Sequence, residues 1–168
     1  MKFSSKFYTY FFLGLLLASL SGCGFHLRGM LDMPSWLDNI AIVNANSKNH
    51  PLDVFLQEQL QAYDVHVTTE PSLAQYWLII ERDAFQQQIS SISASTTPRQ
   101  YQLIYTVQFK VQQVRGQEII PSSLVSVTRQ ITINSDRILG SDEEEATTKR
   151  EMRREAAIQI LNRLSRHE

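Results

Sequence analysis

From Tyr101 to Gln112 the chain alternates apolar and polar residues almost without fault. Tyr101, Leu103, Tyr105, Val107, Phe109 and Val111 interleave with Gln102, Thr106, Gln108, Lys110 and Gln112, and Ile104 is the single break. Successive side chains of a strand point to opposite faces, so this pattern is a strand with one buried and one polar face. Arg115-Gly116-Gln117 turns the chain, and a second alternating run follows. There Val125, Val127, Ile131 and Ile133 interleave with Ser126, Thr128, Gln130 and Thr132. Two long neighbouring strands joined by a short turn should pair antiparallel. Such a pair presents one apolar face, and the rest of the chain must supply its cover.

The remaining segments supply two helices and further strands. Ile40-Ala41-Ile42-Val43 reads as a first strand. Pro51 suits a first helical position, with Asn49 or His50 as the cap. Leu52, Phe55, Leu56, Leu60 and Tyr63 then share one helical face, and Asp53, Gln57, Glu58 and Gln61 point away from it. Val65 and Val67 allow a short strand. Tyr76 to about Ile89 reads as a longer one, and residues 90–98, rich in Ser and Thr, read as a loop or hairpin tip.

Ser141 and Glu144 have capping-box spacing, and Asp142 to Glu145 suit the positive end of a helix better than a calcium loop. That helix runs to about Arg166, with Met152, Ala156, Ala157, Ile160, Leu161 and Leu164 as its apolar stripe. The order is β-α-β-β-β-α. Two helices cover one face of a sheet of about four strands, giving an α+β two-layer sandwich. The other face, with Thr106, Gln108, Lys110, Thr128 and Gln130, stays polar. Arg129 falls on the apolar phase, where it must snorkel at the sheet edge or pair with an acid.

The N-terminus is organised differently. Lys2 and Lys6 precede an apolar run from Phe7 to about Leu20, and Ser21-Gly22 lead to Cys23, the only cysteine in the chain. The run is shorter than the roughly 20 apolar residues a membrane span needs, so residues 1–22 read as a removable export signal. Leu20-Ser21-Gly22-Cys23 resembles the lipobox of bacterial lipoproteins, in which the cysteine becomes the acylated first residue. Two or more acyl chains anchor a protein stably, at about 0.8 kcal/mol per buried CH₂. Gly24, in place of an aspartate, implies sorting to the outer membrane.

Residues 23–168 suit one domain. Removing residues 1–22 takes away two lysines and no acids, leaving 14 basic and 17 acidic side chains, a net charge of −3. That excludes the basic excess a nucleic-acid partner requires. The four histidines, His26, His50, His66 and His167, have no metal-ligand spacing, and His167 falls at the end of the chain, where fraying is expected. No G-x-S-x-G elbow or Gly-rich phosphate loop occurs. No catalytic residue, metal or cofactor is expected beyond the acyl chains on Cys23.

The segment Cys23-Gly24-Phe25-His26-Leu27-Arg28-Gly29 closely resembles the start of mature LptE, a lipopolysaccharide-assembly lipoprotein family. The likeness continues through the Pro-started helix ending in Leu60 and Tyr63-Asp64-Val65, then Tyr101-Gln102-Leu103 and Arg129. It ends in a final helix through Met152, Ala156, Ala157 and Leu161 to Arg163-Leu164. The resemblance implies that residues 23–168 form an LptE-like periplasmic domain, lipid-anchored at the outer membrane. It also implies a one-to-one partnership with the LptD β-barrel, which such a protein plugs and helps to assemble, and a part in delivering lipopolysaccharide to the outer leaflet. The basic residues implicated in the family correspond to Ala94 and Ser141 here. Arg99 and Arg137 lie close by, and Lys110 projects from the polar face, so these three are the candidate lipopolysaccharide contacts. Two other readings compete. One is a lipid-anchored ligand-binding or scaffolding lipoprotein of another envelope complex. The other is a lipid-anchored hydrolase, which requires a converging Ser/His/Asp or metal site.

Overall fold

The computed structural model of the chain describes residues 33–45, 50–91, 99–133 and 138–167. The expectations that fall on residues 1–22, Cys23, the 92–98 tip and Arg137 lie outside them. The elements in chain order are β1 (Asn39–Asn44), α1 (Pro51–Ala62), β2 (His66–Thr68), a 3-10 turn at Pro71–Leu73, β3 (Tyr76–Ser91), β4 (Arg99–Gln113), β5 (Glu118–Ile133) and α2 (Ile138–Leu164).

All five strands form one sheet in the order β2-β1-β3-β4-β5. The fifth strand beyond the expected four is the short β2 around Val67. β1 pairs in parallel with β2 and with β3, while β3, β4 and β5 form an antiparallel meander. Parallel neighbours need a crossover connection, and α1 provides it between β1 and β2. Alternating polarity predicts the antiparallel half of the sheet; it carries no signal for the parallel pairing of β1.

Helix α1 starts where Pro51 allows. His50 is its cap: Nδ1 accepts from the Leu52 N–H at 3.3 Å, and the His50 N–H donates to Asp53 Oδ2 at 3.1 Å. Asp53, assigned to the solvent side by periodicity, thus helps to close the helix start and also accepts from Asn44 Nδ2 at 3.0 Å. At the other end Asp64 takes a positive φ of 61°, a conformation Asp tolerates better than most residues, and the Val65 N–H returns to the Leu60 carbonyl.

Helix α2 begins at Ile138, three residues before the expected cap Ser141. The acids 142–145 therefore lie beyond the first turn, where they no longer serve as helix-start chemistry. Glu145 meets Lys149 one turn on, at 2.6 Å.

The core lies between the helices and one face of the sheet. Leu52, Leu56 and Leu60 of α1 and Met152, Ala156, Ala157, Ile160, Leu161 and Leu164 of α2 are buried there. From the sheet come Leu78, Ile80, Leu103, Tyr105, Val107, Phe109, Val111, Val125 and Val127. The alternation in β4 predicts its buried residues one by one. His167, expected to fray, is pinned: Trp36 Nε1 donates to its carbonyl at 3.0 Å, and its ring meets the Ile119 carbonyl.

Candidate functional site

The face of the sheet turned away from the helices carries a polar network built on a local irregularity of β3. Ile80 pairs with Phe109 and Arg82 with Gln108, so Glu81 is the extra residue of a bulge. The bulge re-aims the Glu81 carboxylate along the open face. There Oε1 stands 3.6 Å from Lys110 Nζ, and Oε2 accepts from Ser122 Oγ at 2.6 Å. Gln108 Nε2 donates to Ser122 Oγ at 2.8 Å, so β3, β4 and β5 are tied together by side chains as well as backbone.

Apolar residues are interspersed with this network. Half-buried Ile79 and Ile104 share the face, and Leu124 is 59% exposed. The face thus carries both hydrogen-bonding groups and apolar surface.

The covered face holds a second polar cluster. Tyr105, fully buried, donates from its hydroxyl to Asp83 Oδ2 at 2.9 Å, and His50 Nε2 lies 3.4 Å from the same oxygen. Phe85 stacks on Tyr105 at 4.2 Å between ring centroids, and the Arg153 guanidinium lies over Phe85 at 4.9 Å. Burial first, and then the Asp83 charge, push the Tyr105 hydroxyl far above its ordinary pKa. Arg153 partly offsets that push. Tyr105 is thus a fixed donor, not an acid–base group.

His50 is no catalytic base either. Nδ1 is taken by the helix cap, and Nε2 faces Asp83. The cluster joins the start of α1 to the sheet and to α2. Among the described residues no group of three or more His, Cys, Asp or Glu side chains is placed to hold a metal ion, and no helix is long and apolar enough to cross a membrane.

Of the residues singled out from sequence, Lys110 lies on the open face as expected, with its charge answered by Glu81. Arg99 opens β4 opposite Ile133. Its side chain lies outside the description, as does the whole of Arg137. Arg129 pairs with Glu155 of α2 while staying exposed on the border strand, so both outcomes expected of its apolar-phase position are met. Sequence reasoning missed Glu81, because a bulge leaves no mark on polarity, and missed the role of Asp83, which breaks the apolar phase in the middle of β3 without showing which residue it meets.

The model of the LptE lipopolysaccharide-assembly family matches residues 37–164. The chain belongs to the LptE family. It is 30% identical over 158 residues to the LPS-assembly lipoprotein LptE of Pectobacterium atrosepticum, covering 90% of this chain and 82% of that one. To the LptE of Yersinia enterocolitica it is 29% identical over 153 residues, covering 90% and 72%.

Solved structures share the fold of this chain at lower identity. The solution structure of lipoprotein B from Nitrosomonas europaea superposes with a TM-score of 0.68 at 21% identity, covering 84% of this chain and 90% of that one. A minor lipoprotein from Acinetobacter baumannii gives 0.64 at 18%, covering 77% and 91%. LptE is a non-enzymatic lipoprotein family of lipopolysaccharide assembly, in keeping with a His50 whose two ring nitrogens are already engaged.

Proposed function

We propose that this LptE member plugs and helps to assemble the LptD β-barrel of the outer membrane, one copy per barrel, and assists the insertion of lipopolysaccharide into the outer leaflet. The family match across residues 37–164 carries the reading. The open sheet face supplies its physical sense. The lumen of a large outer-membrane barrel is polar, and the Glu81, Lys110, Ser122 and Gln108 side chains offer both donors and acceptors to such a wall. Acyl chains on Cys23 would hold the domain at the inner leaflet of the outer membrane and raise its effective concentration beside the barrel.

Arg99 and Arg137 are the contacts we assign to lipopolysaccharide phosphates, since guanidinium groups bind such oxyanions in bidentate fashion. Arg99 opens β4 opposite Ile133, and Arg137 follows Ile133 by four residues in the sequence. Lys110 is the third candidate and the weakest, because its charge is already answered by Glu81.

The deciding experiment is capture of a C-terminally tagged copy from outer membranes solubilised in mild detergent. A stoichiometric large β-barrel is expected. Correctly acylated, abundant protein without a barrel would sink the reading in favour of a free-standing ligand-binding or scaffolding lipoprotein. Charge reversal at Arg99 and Arg137 together should weaken lipopolysaccharide binding while leaving barrel capture intact.

A further inference from the structure

The two helices do not close over one another along their whole length. Where the start of α1 meets α2, an open groove of about 470 Å³ remains between them. Pro51, Val54 and Phe55 of α1 and Ala146 of α2 form its apolar part. Val54 is 61% exposed, and Pro51 and Ala146 are exposed as well.

Four cations surround this apolar patch. Lys149, Arg150 and Arg153 line the groove on the α2 side, and Arg154 lies over the Phe55 ring at 5.4 Å. No acid is among the described lining residues. Of the four cations only Lys149 has an ion pair among the described residues, to Glu145. Arg153 lies over Phe85, and contact with a neutral ring leaves a guanidinium its full charge. Arg150 is exposed. Pro51 brings the first turn of α1, the positive end of its dipole, to the same place. Asp53, the acid of that turn, is held by the His50 N–H and by Asn44.

We propose that this groove receives an acidic amphipathic helix of a partner protein, as a third helix of the layer. Both walls offer the ridges a helix packs against, with side chains at i, i+3 and i+4. On α1 these are Pro51, Val54 and Phe55, and on α2 Ala146, Lys149 and Arg150. The apolar stripe of the incoming helix covers Val54 and Ala146, and its flanking acids meet Arg150 and Arg154.

Other occupants fit less well. An acyl chain gains most from a pocket that encloses it, whereas a helix buries a single stripe, and this groove is open. The segments of this chain outside the described residues contain the acids Asp32, Asp136 and Glu168, one to a segment, so none supplies an acidic stripe. A second copy offers the acids Asp142–Glu145, a run with no apolar side chain to cover Val54. The proposal does not depend on the barrel reading.

The test uses the full acylated chain in phosphatidylcholine nanodiscs, with binding counted over empty nanodiscs. The probe is a fluorescent peptide of about eighteen residues, long enough to hold a helix, with a leucine stripe flanked by glutamates. One control peptide has lysine for glutamate, and another has two central prolines that break the helix. The acidic helix should bind about tenfold more tightly than either. A photoreactive group on its leucine stripe should crosslink to α1 and α2 around Val54 and Ala146. R150E should lower its affinity several-fold, while R115E, the same charge change at the β4–β5 turn, should leave it unchanged. Equal binding of the three peptides, crosslinks confined to the sheet, or equal losses in R150E and R115E would overturn the proposal. Displacement of the peptide by lysophosphatidylglycerol would overturn it in favour of a lipid. Self-association without peptide that R150E abolishes would overturn it in favour of a second copy. The peptide comparison and the crosslinks need no variant, so they decide the matter even if R150E fails to fold.

Discussion

The two faces of the sheet are made by the same strands and obey opposite rules. On the covered face Tyr105, Val107 and Phe109 are fully buried, and the polar atoms of Tyr105, Asp83 and His50 are engaged with one another. On the open face Lys110, Glu81, Ser122 and Gln108 form an equally connected network, but each is reached by water. Connectivity therefore does not tell which network stabilises the fold. Burial does, because an unmade bond is costly only where water cannot replace it.

Truncating Phe109 to Ala tests the covered face at its strongest point. Its ring is fully buried between sheet and helices, and removing it should cost about 3–5 kcal/mol, read as a lower midpoint in urea unfolding with an unchanged slope. A loss under about 1 kcal/mol would mean that the helices are free to close over the gap.

Tyr105→Phe comes next. It keeps the ring stacked on Phe85 and deprives Asp83 of a donor, so it should cost about 1–3 kcal/mol. It also carries a pH signature. The folded-state pKa of Tyr105 is raised above its ordinary value near 10. Its stabilisation is thus complete below pH 10 and is lost as pH rises beyond that value, because the unfolded state releases the proton first. Between pH 10 and 11 the parent chain should lose stability more steeply than the variant, by up to about 1.4 kcal/mol per pH unit. Parallel pH curves would place the hydroxyl in contact with water.

These contrasts were not equally visible in the sequence. Strand β4 was legible residue by residue, since the period-two rule depends only on polarity and a half-buried strand leaves polarity intact. The apolar stripes of both helices were legible for the same reason. The start of α2 was not: the Ser141–Glu144 spacing satisfies a local rule, yet the helix continues back to Ile138. Glu81 reaches the open face only through a bulge, and Asp83 acquires its meaning from His50 and Tyr105, which lie 33 residues before it and 22 after it. Periodicity reports which way a residue faces. It does not report which polar residue meets which.

The smallest expected effect sharpens the comparison most. Lys110→Ala leaves Glu81 facing water and still bonded to Ser122, and a partly exposed ion pair of this kind contributes no more than about 1 kcal/mol. Chemical denaturation should barely register the change, and the double variant E81A/K110A should depart from the sum of the single variants by no more than about 1 kcal/mol, the coupling of the pair itself. A loss above 2 kcal/mol would show that the open face is structural after all. If the face instead seats against a barrel wall, the same substitution leaves a carboxylate without its cation in a desolvated interface, at a cost of about 2–5 kcal/mol. Barrel capture should then fall sharply for K110A and recover in part for E81A/K110A, while the unfolding midpoint of the free chain stays where it was. That separation of binding from stability distinguishes a face kept polar for a partner from one kept polar for water.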